Sequence, residues 1–210
     1  MLQPIDFDIR NCRLEIDSFQ QLLNDHFELR ESEDILPFFR NNDHISALIG
    51  SIAPNISKYD LLRHEFFLFG KYRCDLVIGD SNSRAFCFVE FEDAKENSIF
   101  LRRSRYVKSD AKKFSARFEH GYSQILDWYN IMDDQRRTTL LESTFGGQVN
   151  YLHGLLVIGR DRFVEDEISR NKLRWRSECI NVNTNSVSII TYDQLYTMLN
   201  DKLSFIEGMI

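Results

Sequence analysis

The amino-acid sequence predicts a mixed α/β fold, in which helices flank a central sheet that contains an antiparallel hairpin. Three observations favour this class. Helical patterns occupy the first quarter of the chain, three strand-like runs then follow in close succession, and helical and strand-like segments alternate in the second half. The successive runs fit an antiparallel meander, and the later alternation adds further strands with helices between them.

Three helices are predicted in the first 52 residues. Apolar side chains recur at helical spacing over residues 17–30, with Asp17 as a cap. Pro37 fits the first turn of a helix, so a second helix is expected over residues 35–40. A third helix over residues 43–52 should end there, because the proline that follows shortly restricts its predecessor.

The remaining elements are expected from the same signals. Residues 113–131 form the most regular helical pattern, because their aromatic and aliphatic side chains make a continuous apolar stripe. The other expected elements are strands over 64–69, 73–78 and 85–92, a buried strand over 151–158, a helix over 165–176, a short strand over 187–191 and a last helix over 193–205.

Composition indicates a folded protein that acts in the cytoplasm. The 210 residues are 43% hydrophobic and include 17 Phe but only 9 Gly and 3 Pro, which argues against disorder. No apolar run approaches the ~18 residues that a membrane helix needs, and the N-terminus lacks the pattern of a signal peptide. For that reason we expect no membrane partner. The four cysteines are far apart without a CxxC pair, so we expect reduced thiols and no zinc site.

The net charge of −6 conceals an uneven distribution of charge. Residues 102–117 hold seven Lys/Arg and one acid, and residues 170–176 hold four Lys/Arg and no acid, whereas the rest of the chain carries −16. Such segregation can place a positive surface on an acidic body, although solvated helix faces explain either run alone equally well. Trp175, inside the second run, is expected to anchor the core rather than to stack on a nucleic-acid base.

Three acids interrupt the two apolar strands of the predicted hairpin: Asp75, Glu90 and Glu92. The turn DSNSR over residues 80–84 pairs positions whose numbers sum to 165, as those of Asp75 and Glu90 do. Residues directly opposite each other face the same side of a sheet, with Cβ atoms ~4.5–5.5 Å apart. Because strand side chains alternate, Glu92 returns to that side. We therefore predict a cluster of three carboxylates.

Clustered carboxylates need a compensating proton, basic side chain or cation. Hard cations such as Mg²⁺ prefer carboxylate oxygens, and a bound metal can activate water for attack on a phosphodiester. The alternative is a solvated sheet edge whose acids pair with the neighbouring Lys/Arg run. The apolar residues around the acids favour a buried hairpin, in which unpaired acids would be costly.

Four segments of the chain resemble a known family. FLFGKYRCDLVIGD, FVEFEDAKENSIF, FEHGYSQILDWY and SIITYDQLYTML are similar, in this order, to the C-terminal domain of the Shedu (SduA) anti-phage defence proteins. A strand with Asp, a hairpin and a strand with Glu also resemble the PD-(D/E)XK nuclease superfamily. The resemblance covers about residues 31–199. It implies a restriction-endonuclease-like sheet, with a nuclease-like domain over 31–210 behind an N-terminal arm or helix over 1–30.

The resemblance also implies a set of site residues for Mg²⁺ or Mn²⁺. Asp75 matches the metal-binding aspartate of the superfamily and Glu90 the acid that follows it. Gln124 matches a glutamine that relatives place near the active site, on the helix after the hairpin. Glu33 matches an acid that some members supply from the preceding helix.

The sequence departs from the family pattern at Glu92, where a lysine that orients and activates the attacking water is expected. Glu92 can add a metal ligand while Lys95 or His120 supplies the missing cation or proton. The substitution can equally mean that cleavage is lost, or that it depends on another subunit.

Two functions of different classes therefore stay open. The first is a metal-dependent DNA endonuclease of the Shedu type, and the second is a cleavage-deficient nuclease-fold protein that binds nucleic acid or regulates a partner. A purely structural module would leave the acids unexplained. We also expect a homo-oligomer, a possible regulatory partner and sequence-independent contacts with the DNA backbone. The residues expected to make those contacts are Arg102, Arg103, Arg105, Lys108, Lys112, Lys113 and Arg117.

Overall fold

The structure is a computed structural model that describes residues 1–101, 112–179, 181–182 and 185–209. Within these residues the chain forms a mixed α/β sheet with helices on both faces, which confirms the predicted class. Arg102, Arg103, Arg105 and Lys108 lie outside the described residues.

The predicted elements follow one another along the chain in the expected order, together with three short elements that were not predicted. The described strands are β1 (Gln3–Pro4), β2 (Leu61–Leu68), β3 (Tyr72–Asp80), β4 (Ala85–Phe91), β5 (Tyr151–Val157), β6 (Asn181–Val182) and β7 (Asn185–Ile190). The described α-helices are α1 (Ile9–Asp25), α2 (Leu36–Arg40), α3 (Asp43–Leu48), α4 (Ala116–Gln135), α5 (Thr139–Phe145), α6 (Glu167–Glu178) and α7 (Tyr192–Glu207). A π-helical turn, Glu31–Ile35, precedes α2, and 3₁₀ turns occupy Ile49–Ile52 and Asp161–Phe163.

The described strands lie in the order β1-β2-β3-β4-β5-β7-β6. Strands β2, β3 and β4 form the predicted antiparallel meander, whereas β4, β5 and β7 are parallel. The carboxyl ends of parallel strands meet at one edge of a sheet, which is where such folds commonly place their ligands. The acids at the end of β4 therefore lie at this edge.

Alternation along the strands sends side chains into two apolar layers. Leu76 and Val89 face the layer formed with α1, α2, α3 and α7, whereas Val77 and Phe88 face the layer formed with α4 and α5. Helix α1 belongs to the first layer, since its Phe19 is 1% exposed and packs beside Phe39 of α2. The N-terminal helix therefore shares a core with the sheet.

The predicted boundaries of the first helix are wrong. Asp8 caps α1, because its carboxylate accepts a hydrogen bond from the backbone N–H of Asn11 at 2.7 Å. Cys12 and Ile16 are fully buried and extend the apolar stripe toward the N-terminus. The helix ends where His26 adopts an extended backbone conformation.

Three short elements escaped the sequence analysis: β1, β6 and α5. Helix α5 has both end signals, because Thr138 caps its start and Gly146 ends it at a positive φ of 74°. The two strands are each two residues long, and runs of that length carry no measurable periodicity.

Candidate functional site

The acid site begins where the ladder between β3 and β4 ends. The paired residues run from Asp80–Ala85 to Leu76–Val89 in the predicted register, and the described ladder ends one pair before Asp75 and Glu90. Beyond Leu76 the ladder is replaced by a side-chain bond, because the Asp75 Oδ2 atom accepts a hydrogen bond from Phe91 N at 2.9 Å. One carboxylate oxygen of Asp75 therefore fixes the end of β4.

Strands β2 and β3 both become irregular at this point. Side-chain alternation breaks at Asp75, since Cys74 faces the α4 layer while Leu76 faces the α7 layer. On β2, Glu65 has a positive φ of 47° and lies between the two residues that pair with Cys74 and Leu76. Because both strands are irregular here, the side chains of β3 before and after Asp75 do not alternate in the usual way. Asp75 itself is half-buried at the edge of the sheet.

Helix α4 supplies a second wall to the acid site. The Gln124 amide nitrogen donates a hydrogen bond to Glu90 Oε1. His120 Nδ1 lies 3.4 Å from Glu92 Oε1, and Arg117 Nη1 donates to Glu92 Oε2 at 2.6 Å. Because residues three and four apart lie along one side of a helix, α4 presents these three polar groups together to β4. Glu90 and Glu92 therefore share a side, as predicted.

A glycine allows this close approach of α4 to β4. A Cβ atom at Gly121 would lie 2.9 Å from Leu156 Cδ1 and 3.0 Å from Glu92 Cγ. Contacts of that length are shorter than carbon atoms tolerate, so a side chain here would push the helix away. On the opposite side, the buried Tyr192 hydroxyl donates to the carbonyl of Glu92 at 2.8 Å.

Asp75 and Glu90 form an electrostatically strained pair. Burial, followed by the charge of Glu31, raises the pKa of Asp75 to about 7, although the Phe91 N–H opposes the shift. Burial, followed by the charge of Asp75, raises the pKa of Glu90 well above its usual value. Neither carboxyl forms an ion pair with any residue that the structure describes. The pair thus has unmet demand for a cation or protons.

Glu92 has the opposite environment, because a cationic side chain contacts its carboxylate. Its side chain is 3% exposed and forms an ion pair with Arg117. Burial raises the pKa of Glu92, and the guanidinium of Arg117 opposes that rise. Lys95, one predicted replacement for the missing lysine, is instead bound to Asp93 Oδ2 at 2.6 Å. The guanidinium of Arg117, expected from the sequence to grip DNA, therefore lies inside the acid site.

The acid that enters the site from the preceding helix is Glu31 rather than Glu33. Glu33 is exposed and pairs with Arg30, and no described contact joins it to the hairpin acids. The Glu31 carboxylate lies 3.1 Å from Arg117 Nη1, and its charge raises the pKa of Asp75. The backbone N–H of Glu31 donates to Asp93 Oδ1 at 2.8 Å, which holds the start of the π-helical turn Glu31–Ile35 beside the acid site.

The described residues contain no group of three or more His, Cys, Asp or Glu side chains arranged to hold a metal ion. Mg²⁺ usually binds one or two carboxylates and keeps several waters. Asp75 and Glu90 meet that smaller requirement in chemistry and charge, whereas the Glu92 carboxylate is already occupied by Arg117. A hard divalent cation therefore fits the pair, with Glu92 outside its ligand set.

The family comparison matches most of the chain. The model of the Shedu protein SduA, C-terminal, aligns with residues 29–196. The chain belongs to this SduA C-terminal family. Membership suggests a role in Shedu anti-phage defence. Comparison with curated proteins gives no significant match.

Three further expectations for this SduA C-terminal domain concern its basic residues, Trp175 and membranes. Lys112 pairs with Asp166, and Lys113 is exposed. The expectation that Trp175 anchors the core is wrong, because its side chain is 58% exposed on α6. None of the described helices has the length and apolar character needed to cross a bilayer.

Proposed function

We propose that this SduA C-terminal domain hydrolyses phosphodiester bonds in DNA with the help of Mg²⁺ or Mn²⁺. The observation that carries the proposal is the pair formed by half-buried Asp75 and buried Glu90, whose pKa values are raised and neither of which forms an ion pair with a described residue. Burying acids in this way costs stability unless a ligand compensates. If Asp75 and Glu90 served only to stabilise the fold, neutral side chains at these positions would do so better.

Each residue of the site has a distinct part in the proposed reaction. Asp75 and Glu90 would hold the cation, and Gln124 orients the Glu90 carboxylate through its hydrogen bond. When bound, a divalent cation stabilises charge on the phosphoryl oxygens and lowers the pKa of a coordinated water. Asp75 on β3 and Glu90 on β4 also have the layout of the PD-(D/E)XK superfamily, which supports placing the domain there.

The partner in this proposal is DNA in the cytoplasm, held through its phosphates. The basic run over residues 102–117 directly follows the acid-bearing strand, so it would hold the backbone close to the cation. Such contacts do not read sequence. A homo-oligomer or a regulatory partner would then restrain cleavage of host DNA.

The test is cleavage of supercoiled plasmid and linear DNA with Mg²⁺, with Mn²⁺ or with EDTA. We expect metal-dependent cleavage by the wild type and a loss of about 100-fold or more in Glu90→Gln, because the cation contributes several kcal/mol to such reactions. Glu33→Gln is the matched control, since it removes the same charge from an exposed acid outside the site. Equal rates for the wild type and Glu90→Gln would reject this site.

A second candidate function is nucleic-acid binding without cleavage. The observation that favours it is Glu92 in the position of the expected lysine, neutralised by Arg117. In that case the wild type leaves DNA intact with every cation in the cleavage assay, but still binds DNA in a separate affinity measurement.

A further inference from the structure

Arg117 occupies an unusual position among three acidic side chains and solvent. Its Nη1 atom contacts Glu92 at 2.6 Å and Glu31 at 3.1 Å, and its Nε atom lies 3.4 Å from Asp93 Oδ2. The side chain is nevertheless 42% exposed. Its Nη2 atom makes no hydrogen bond or ion pair with any residue that the structure describes.

The partners of Arg117 hold the guanidinium in a defined orientation. Glu92 is rigid, because its side chain is 3% exposed and its carbonyl accepts a bond from Tyr192. Nη1 donates to Glu92 and Glu31, and Nε lies near Asp93, so Nη2 is the terminal nitrogen that makes no hydrogen bond to a described residue. A guanidinium whose Nη2 atom is still available can donate a hydrogen bond to an oxygen of a phosphate.

The position along β4 relates Arg117 to the cation proposed at Glu90. Residues 90 and 92 lie on one side of the strand, about 7 Å apart at the rise of an extended chain. Arg117, which contacts Glu92, and a cation held by Glu90 would therefore lie beside each other along one side of β4. Arg117 also lies in the first turn of α4, where the helix dipole favours anions.

We propose that Arg117 contacts the phosphate at the scissile bond and that Glu92 is its positioning residue. This inference rests on the proposed function and explains its least expected feature, the glutamate in the place of a lysine. The positive charge is supplied from α4, and Glu92 holds it there. The substrate class is a phosphodiester, since a single guanidinium edge beside a divalent cation recognises one phosphate group.

The competing explanation is that Arg117 only neutralises Glu92. The two explanations differ when both charges are removed together. If Arg117 is only the counter-ion of Glu92, Glu92→Gln/Arg117→Gln removes the buried carboxylate together with its partner, leaves Glu31 as a partly exposed acid, and should cleave like the wild type. If Arg117 contacts the phosphate, the double variant should be as defective as Arg117→Gln, about 100-fold or more below the wild type at saturating DNA.

Two companion variants sharpen the comparison. Arg117→Lys keeps a cation but loses the fork geometry, so it should recover part of the rate lost in Arg117→Gln. Arg136→Gln is the matched control, because Arg136 lies at the far end of α4 beside Asp133 and is 71% exposed. It should leave cleavage unchanged. Thermal melting of every variant identifies any that fail to fold.

A binding measurement makes the inference testable even without cleavage. Affinity for a short duplex is measured over a range of salt concentrations with Ca²⁺ or EDTA. Arg117→Gln should reduce the slope of log affinity against log salt by about 0.9, the value for one lost phosphate contact.

An unchanged slope, or a double variant that cleaves normally, would overturn the inference while leaving the proposed function intact. Binding without cleavage by the wild type would reject the proposed function and leave the slope to decide on Arg117. A wild type that neither binds nor cleaves would overturn both.

Discussion

Asp75 and Glu90 destabilise the metal-free fold, because burial and repulsion oppose their ionisation. The pKa of Asp75 is about 7 in the folded chain, against an ordinary value of 3.8. Between these values the folded state binds more protons than the unfolded state, so this residue makes stability fall as pH rises. The penalty is complete above about pH 7 and disappears below about pH 4.

We expect Asp75→Asn to stabilise the metal-free protein at pH 8. An asparagine oxygen can still accept the Phe91 N–H but carries no charge. The gain should be on the order of 2 kcal/mol, or about 4–8 °C in melting temperature, and should shrink toward pH 4. Melting in EDTA from pH 4 to pH 8 measures it.

The control for this prediction is Asp127→Asn, since Asp127 is exposed on α4. Mg²⁺ should raise the melting temperature of the wild type and of Asp127→Asn but not that of Asp75→Asn. If Asp75→Asn melted at or below the wild-type temperature at pH 8, the Asp75 carboxylate would already have a stabilising partner in the metal-free protein.

Residue identities in the site were only partly available from the sequence. The register of β3 against β4 follows from turn composition, which is a local property. The position of Gln124 followed from the family resemblance. Glu31 was missed, and Arg117 was assigned to DNA contacts alone, because tertiary contacts with Asp93 and with Glu92 bring them to the site. Neither feature leaves a periodic signal.

At the level of elements, the contact between α4 and β4 depends on Gly121. Replacing an exposed helical glycine by alanine normally stabilises a helix by about 1 kcal/mol. Here the added methyl group would meet Leu156 and Glu92 at about 3 Å. We expect Gly121→Ala to destabilise the protein by about 1–3 kcal/mol, because the packed layer must separate.

Ser123→Ala on the exposed side of the same helix serves as the comparison for Gly121→Ala. It should change stability by less than about 0.5 kcal/mol. Chemical denaturation of both variants checks the prediction. If Gly121→Ala were as stable as the wild type, the helix would have room to move away from the acids.

Most elements were predictable because their patterns are long. Helix α4 and the meander of β2, β3 and β4 have repeated apolar positions that fix type and approximate length. The start of α1 was misplaced because Asp17 resembles a cap as closely as Asp8 does, and only packing of Cys12 and Ile16 distinguishes them. Trp175 was misplaced because hydrophobicity alone does not reveal exposure.

Across the whole molecule, charge is separated between an acidic body and two basic runs. We expect Arg102→Ala/Arg103→Ala/Arg105→Ala to weaken binding to all duplex sequences alike and to reduce the salt slope by about 2.7. Cleavage at saturating DNA and low salt should persist, since these arginines are proposed to provide affinity rather than chemistry. Filter binding or anisotropy at several salt concentrations measures the slope.

The outcome that contradicts this prediction is a markedly lower melting temperature with an unchanged slope. It would mean that these arginines neutralise acids of the fold, so that their removal leaves buried charges without partners. Lys112, in the same run, pairs with Asp166 at the surface.

The hydrogen bond from Phe91 N to Asp75 makes one backbone amide a spectroscopic probe of the site. Elsewhere in β4 the amides face carbonyls of neighbouring strands, whose charge does not change with pH. The Phe91 amide faces a carboxylate that titrates near pH 7. Its nuclear magnetic resonance frequency should therefore follow the proton on Asp75 as pH changes, and should shift again when Mg²⁺ takes that carboxylate. A single resonance can thus measure cation binding directly, without DNA and without turnover.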